Sequence, residues 1–481
     1  MKLNRARRRR RDANQIARRC VAQHLERVGT LDAVRACVVS KQTLNLPALL
    51  SQIFFDLSDL DLHRKNRGMA DMTDKILSTR SPLIPIRNLK LRFIMRGDDH
   101  IKIGRAVALA MATHKIDAAE FEVLTKDIYY RTTDADLLDF AKMFSNFIGE
   151  CPDAFAGLTR LHLQNLRLRQ WDITNILTTC KRLESLSFNR CDVGNLWVLR
   201  VEHAGLVELT FAYGKFLRVE LHSLPKLQRM TLHRWAYNTN NPLLLGFVPR
   251  LSKLSLTNAY HSSNNYKLSQ LLVVPSISDL HLDFLSEKIW VQPECKKLVA
   301  PVLSKLRLVN LHNLPEECDI AWTMFFLEAA PSLKEFSITV WDHKCEMESQ
   351  KSHSKKTDVT IYGFQSDDNF MGYVRRAIQA AVNIEEVSLH DRKVCKLCTH
   401  KFPHIGVRPS SYPRTSEEVD LFRKKITEAK AGSHAMIHLR TIAHCNKSGC
   451  GFQLLVMPVP ASCQCGCSII AAGSSLQLTR L

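Results

Sequence analysis

The sequence predicts an α/β solenoid in which short parallel strands alternate with helical or irregular crossovers. One pattern recurs eight times: a large apolar residue, two other residues, an apolar residue, one other residue and a third apolar residue. Its copies are 21 to 30 residues apart and begin at Leu158, Leu183, Leu206, Leu227, Leu251, Ile277, Leu303 and Leu333. Because one such unit cannot bury its apolar face alone, the recurrence predicts a stack of units that bury each other.

Each unit is expected to contain one strand and one return path. In residues 303–308, the alternation of Leu306, Arg307 and Leu308 predicts a strand with both leucines on its inner side. The return to a parallel neighbour takes a dozen or more residues. Residues 173–180 and 322–330 suit short helices on that path, the second ended by Pro331. The pattern and its period are those of leucine-rich repeats, which usually form binding surfaces.

Weaker copies flank the run, beginning at Ile86, Ile116 and Ile384, and residues 53–57 predict a strand leading into the array. Residues 344–368 are polar and predict an exposed loop or insertion, either for recognition or as a tolerated surface loop. The expected organisation is a basic disordered tail (1–24), a helical segment (25–52), the repeat array (53–343), the loop (344–368), a C-terminal repeat region (369–440) and an irregular cysteine-rich tail (441–481).

The amino-acid composition narrows the range of functions that the protein can have. The 481 residues are 45% apolar and 24% charged, as in ordinary soluble proteins, and no apolar run approaches the ~18 residues of a membrane-spanning helix. No signal peptide is visible, so the expected location is the nucleus or cytoplasm. Net charge is +20, with Arg7 to Arg11 unbroken, which suits a nuclear import signal, a nucleic-acid contact or a disordered tail. Aromatic residues do not interleave with this block, which disfavours nucleic-acid binding.

The fifteen cysteines predict neither catalysis nor a metal site. Cys180 and Cys191 fall within repeats and are expected to be buried thiols in a reducing compartment. A zinc site could be drawn from four later residues, Cys395, Cys398, Cys445 and Cys450. Its two pairs are unequally spaced and far apart, so reduced thiols are the favoured interpretation. With no GxxxxGK[ST], HExxH or GxSxG motif, we expect no enzyme activity and no cofactor.

Ahead of the array, Leu31, Val34 and Val38 share one helical face. This amphipathic segment could simply cap the solenoid. The stretches 31–41 and 44–47 resemble the second half of an F-box motif from the plant, especially grass, group of F-box proteins with leucine-rich repeats and an FBD-type C-terminal region. Repeat phrases such as residues 251–256, and residues 384–389 and 422–428 of the tail, are similar to that group as well.

The resemblance implies an adaptor of an SCF-type ubiquitin ligase, in which the F-box holds a Skp-type subunit and the repeats hold the protein to be ubiquitinated. The partners implied are therefore that subunit and an unidentified target protein, with no small-molecule cofactor and no membrane. The docking face carried over from the family is Leu31, Val34, Arg35, Val38 and Val39, followed by Ser40 and Lys41.

The segment departs from the family pattern in two places. Residues 1–24 contain no Leu-Pro pair, and Gln42-Thr43 stand where the family carries a tryptophan, so the F-box is expected to be truncated at its N-terminus. One alternative is therefore a protein-binding repeat scaffold without a ligase. A second alternative is a basic nuclear protein that binds nucleic acid through Arg7 to Arg11.

Target binding is expected on the concave strand face, through polar residues that alternate with the inner leucines. The alternative for each residue is a merely solvated strand position. The candidates are Arg160, His162, Ser185, Ser187, Lys253, Ser255, Lys305 and Arg307.

Overall fold

A computed structural model describes most of the repeat region. The described residues are 50–55, 59–125, 132–194, 198–235, 242–258, 266–274, 276–315, 318–341, 359–380, 386–391, 410–427 and 436–440, and all belong to one compact unit. The expected basic tail, nearly all of the F-box-like segment and the late cysteines lie outside the described residues.

The predicted repeat stack is confirmed as a large sheet in which every pairing among the described residues is parallel. Strands are numbered along the chain. In spatial order the 14 strands of this sheet are β1 (Gln52–Phe55), β2 (Ile86–Ile94), β3 (Ile116–Leu124), β4 (Arg160–Gln164), β5 (Ser185–Asn189), β7 (Glu208–Ala212), β9 (Arg229–Trp235), β11 (Lys253–Asn258), β13 (Asp279–Asp283), β15 (Leu308–Pro315), β16 (Glu335–Trp341), β17 (Val359–Tyr362), β18 (Glu386–His390) and β19 (Met436–Arg440).

The crossovers carry the remaining elements. Two smaller parallel sheets contain β6 (Val198–Val201), β8 (Arg218–Ser223) and β10 (Leu243–Phe247), and β12 (Tyr266–Lys267) and β14 (Val291–Gln292). The described helices are α1 (Asp59–Ser78), α2 (Asp99–Thr113), α3 (Asp134–Glu150), α4 (Pro152–Ala156), α5 (Gln170–Thr179), α6 (Leu268–Leu271), α7 (Lys296–Leu303), α8 (Met324–Ala329), α9 (Asp368–Ala380) and α10 (Ser416–Thr427), with a 3₁₀ turn at Ile320–Thr323 before α8. No described helix is long and apolar enough to cross a membrane.

Two columns of apolar side chains run through the large sheet, since residues paired in register share a face. Apart from the last member of each column, their exposed fractions are at most 3%. The first column is Phe55, Leu91, Phe121, Leu161, Leu186, Leu209, Met230, Leu254, Leu280, Val309, Phe336, Val359, Val387 and Ile437. The second is Phe93, Val123, Leu163, Phe188, Phe211, Leu232, Leu256, Leu282, Leu311, Ile338, Ile361, Leu389 and Leu439.

The predicted strand at residues 306–308, with Leu306 and Leu308 directed inward, is wrong by three residues. Leu303 ends helix α7, β15 begins at Leu308, and the inward residues are Val309 and Leu311. Two copies of the apolar pattern overlap here, one starting at Leu303 and the other at Leu306. Leu303 belongs to helix α7, so the strand follows the copy of the pattern that starts at Leu306.

The expected loop at residues 344–368 is also wrong in its second part. Val359–Tyr362 forms β17, which pairs with β16 and β18, and Val359 and Ile361 are at most 1% exposed. The four-residue strand supplies the apolar surface that the polar residues before it lack. Residues 342–358 lie outside the described residues.

Aromatic packing joins the first helices to the sheet. Phe147 of α3 lies edge-on to Phe155 of α4 at a centroid distance of 4.8 Å, and its ring stacks on Phe121 of β3 at 6.0 Å. His100 of α2 meets the same ring edge-on at 5.1 Å. Helix α2 approaches this cluster through Gly104, where an added Cβ would lie only 2.5 Å from Cε2 of Phe147.

A buried ion pair links successive repeats. Arg167 donates to Asp192 through Nε and Nη2 at 2.6 and 2.9 Å, and to Asp134 at 3.0 Å. The side chains of Arg167 and Asp192 are 16% and 5% exposed. The hydrogen bonds to Asp192 and then Asp134 raise the pKa of the Arg167 guanidinium, so this charge is fixed at the junction.

Replacing Gly104 by alanine is expected to destabilise the fold. The new Cβ would overlap Phe147 and Sγ of Cys151, the latter at 2.7 Å, and overpacking of this kind typically costs about 1–3 kcal/mol. Gly149→Ala is the matched control, because a Cβ there meets nothing within 4 Å and alanine is favoured over glycine in a helix by about 0.5–1 kcal/mol. In urea unfolding, the free energy of unfolding should fall for Gly104→Ala and rise slightly for Gly149→Ala. Equal effects would contradict the close approach at Gly104.

Asp192→Asn is expected to lower the free energy of unfolding by about 3 kcal/mol. This is the lower end of the cost of breaking a buried ion pair, because Arg167 would still form its ion pair with Asp134. The control is Asp139→Asn, whose ion pair with Lys142 at 3.0 Å has side chains 69% and 73% exposed. Such an exposed pair contributes little, so its midpoint in urea should barely move. Equal shifts of the urea midpoint in both variants would show that the buried Arg167–Asp192 pair stabilises the fold no more than an exposed pair does.

Candidate functional site

The face of the large sheet opposite the apolar columns carries three rows of side chains, here called the outer rows. They arise because the side chains of a strand alternate between its two faces. The first row is Lys90, Glu120, Arg160, Ser185, Glu208, Arg229, Lys253, Asp279, Leu308, Glu335, Glu386 and Met436. The middle row is Arg92, Glu122, His162, Ser187, Thr210, Thr231, Ser255, His281, Asn310, Ser337, Thr360, Ser388 and His438. The third row is Gln164, Asn189, Ala212, His233, Thr257, Asp283, His312, Thr339, Tyr362, His390 and Arg440.

Six of the eight candidate target-binding residues lie in these rows. The sequence placed them correctly on the outer face of three strands: Arg160 and His162 on β4, Ser185 and Ser187 on β5, and Lys253 and Ser255 on β11. All six are at least partly exposed.

Lys305 and Arg307 are not on the outer face, which corrects the prediction. Both are exposed, but they precede β15. The carbonyl of Arg307 accepts hydrogen bonds from the backbone of Lys334 and Glu335 at 2.8 and 3.0 Å. The error follows from the three-residue shift of this repeat, whose true outer residues are Leu308, Asn310 and His312.

Charges on the N-terminal part of the outer rows are mostly compensated across strands. Lys90 contacts Glu120 at 2.9 Å, and Arg92 contacts Glu122 at 3.0 Å. Further cross-strand pairs are Glu208–Arg229 at 3.1 Å and Lys253–Asp279 at 3.2 Å. Arg160 makes no ion pair within the described residues.

Four histidines of the outer rows have lowered pKa values and are neutral. Burial lowers the pKa of His162 to about 4 and that of His390 to about 4. His312 is most affected: burial, and then the nearby His281, lower its pKa to about 3. The rings of His281 and His312 lie 4.2 Å apart, and burial lowers the pKa of His281 as well. At neutral pH these imidazoles therefore offer hydrogen bonds without charge.

A cation–π stack lies at the carboxyl ends of three neighbouring strands. Arg190, Tyr213 and Arg234 each have a positive φ between 53° and 55°, and both guanidinium groups lie 5.3 Å from the centre of the Tyr213 ring. Sequence reasoning missed this cluster. Each of the three residues lies two positions after the second inner apolar residue of its repeat, near the end of the strand. That recurring position is the sequence signal that could have identified the cluster.

The described residues hold no group of three or more His, Cys, Asp or Glu side chains that could bind a metal. Cys180 and Cys191 are buried as expected, and burial raises the pKa of each thiol to about 12. Such thiols stay protonated and unreactive. The possible zinc ligands Cys395, Cys398, Cys445 and Cys450 lie outside the described residues, as do the predicted docking residues 31–41 and the Arg7 to Arg11 block.

The repeat array matches a known family. No curated protein matches the chain. Residues 150–437 match the family described as At1g61320/AtMIF1, LRR domain. This span covers well over half of the 481 residues and includes strands β4 to β18. The chain therefore belongs to the At1g61320/AtMIF1 leucine-rich-repeat family.

Proposed function

We propose that this protein is a substrate-recruiting adaptor of an SCF-type ubiquitin ligase, acting in the nucleus or cytoplasm. The outer rows would hold the target protein, and the F-box-like segment would hold a Skp-type subunit. The family to which the repeats belong supports the protein-binding part. The F-box resemblance of residues 31–41 and 44–47, and the FBD-like phrases of the tail, support the ligase part.

The observation that carries the proposal is the continuous outer face. With neighbouring strands about 4.8 Å apart, the 14 strands of the sheet extend for about 60 Å along its surface. A typical protein interface covers about 800 Å² on each partner. The face is therefore large enough for a folded target, and its mixture of charged, hydroxyl and imidazole side chains suits a protein surface better than a small apolar ligand.

Chain order supports coupling to a ligase. The predicted docking residues end at Lys41, and the first strand of the array starts at Gln52. Leu50, just before that strand, is 1% exposed. A subunit docked on residues 31–41 would thus be close in sequence to the first strand of the sheet.

The test is capture of a purified Skp-type subunit by the full chain. Val34→Asp with Val38→Asp should reduce capture at least tenfold, because both residues belong to the predicted docking face and a charge there leaves an unpaired group in the interface. Ala36→Asp is the matched control, since residue 36 lies on the opposite side of the predicted helix. It should change capture less than twofold.

If the unmodified chain captures no Skp-type subunit, the ligase part of the proposal is wrong. A repeat scaffold that binds protein without a ligase would then be the better interpretation, favoured by Gln42-Thr43 at the family's tryptophan position.

A further inference from the structure

The outer face changes character over strands β15 to β18. Its middle row there consists of small polar residues, Asn310, Ser337, Thr360 and Ser388. The third row beside them presents His312, Thr339, Tyr362 and His390, and the first row presents Leu308, Glu335 and Glu386, followed by Met436 on β19. This part of the outer rows is here called the hydroxyl trough.

Three buried polar atoms of this trough have no hydrogen-bond partner within the part of the chain that the structure describes. They are Oγ of Ser337, Oγ of Ser388 and Nε2 of His312. Their residues are 5%, 1% and 5% exposed. Leaving a buried polar atom unsatisfied costs about 1–3 kcal/mol, and native proteins rarely do so without a ligand, water or functional reason. Three such atoms on one face of neighbouring strands point to a polar ligand.

The charge of the trough indicates the sign of that ligand. Glu335 and Glu386 are half-buried and form no ion pair within the described residues, unlike the acidic residues farther along the first row, which pair with Lys90, Arg229 and Lys253. Unpaired carboxylates are notable on a chain of net charge +20. The low pKa values of His312 and His390, about 3 and 4, keep the opposite wall uncharged at neutral pH. Arg440 on β19 is a cation next to that wall, since its charge lowers the pKa of His390 and Tyr362.

The remaining surfaces suit a long basic side chain. The rings of Tyr362 and His390 stack with their centroids 4.5 Å apart, and aromatic faces attract a guanidinium group. Leu308 and Met436, the latter 57% exposed, flank the two glutamates in the first row and can cover the aliphatic part of such a chain. Neutral hydroxyl and imidazole groups accept hydrogen bonds from its donors.

We infer that the hydroxyl trough binds arginine side chains of an extended segment of the target protein. This inference rests on the proposed function in one respect, that the outer face is where a target binds. Glu335 and Glu386 are separated by two strand spacings, about 9.6 Å. Residues three apart in a polyproline II helix lie on the same side of the chain, about 9.3 Å apart, so two arginines at that spacing can meet both carboxylates.

The probe is a fluorescein-labelled synthetic peptide, Gly-Ser-Arg-Gly-Ser-Arg-Gly-Ser, with both termini blocked. Its partner peptide replaces each arginine by citrulline, which has nearly the same shape and no charge. Fluorescence anisotropy with the full chain should show the arginine peptide binding at least tenfold tighter. The double variant Glu335→Gln with Glu386→Gln should remove this preference, since the charge pairing is lost.

The matched control is Glu184→Gln with Glu328→Gln, which makes the same charge change at two exposed glutamates outside the outer rows. It should leave the dissociation constant within twofold. Ser337→Ala with Ser388→Ala should weaken binding severalfold without lowering the melting temperature of the free chain, because those hydroxyls are unsatisfied there. A lowered melting temperature would instead indicate a structural role.

Equal affinity for the arginine and citrulline peptides would overturn the inference and favour a neutral ligand. Arginine-dependent binding that survives the Glu335 and Glu386 substitutions would overturn it too, because the site would be elsewhere. The peptide assay contains no Skp-type subunit. A chain that binds the arginine peptide but captures no such subunit would therefore refute the ligase proposal alone.

Discussion

The fold depends on in-register packing of two apolar columns between parallel strands. A single strand such as β13 presents only Leu280 and Leu282 to the interior, and both are fully buried because β11 and β15 place Leu254, Leu256, Val309 and Leu311 beside them. Each large aliphatic side chain buried in this way contributes about 1.5–3 kcal/mol. The contribution exists only when the neighbouring repeat is in place, so stability accumulates along the array rather than within a unit.

The same alternation that fills the columns exposes the outer rows. A strand that directs one residue inward must direct the next one outward, so the period that buries leucine also sets a ladder of polar residues about 4.8 Å apart. Packing constrains the inner residues, but it leaves the outer ones free to carry charge. The chain uses that freedom unevenly. Cross-strand pairs such as Glu208–Arg229 neutralise one part of the face, while Glu335 and Glu386 at the other have no ion pair within the described residues.

The sequence predicted the columns well because apolar periodicity is a local signal, and six of the eight outer residues followed from it. It failed where that signal is ambiguous or short. Leu306, Leu308, Val309 and Leu311 allow two overlapping patterns, and only the end of α7 at Leu303 selects one. Strand β17 is four residues long and follows a polar stretch. The hydroxyl trough could not be predicted, because Asn310, Ser337, Thr360 and Ser388 become neighbours only through register.

The position of the trough bears on how an adaptor of this kind would work. Strand β15 is the tenth in spatial order, so the trough begins nine strand spacings from β1, about 43 Å along the sheet. The F-box-like segment precedes β1 in the chain. A target held in the trough would therefore lie nine strand spacings from the strand that follows the F-box-like segment in the chain. Because the strands between are locked by buried apolar columns, that separation would be set by a stiff element rather than by a loop. The length of the array would then act as a spacer between recognition and ubiquitin transfer.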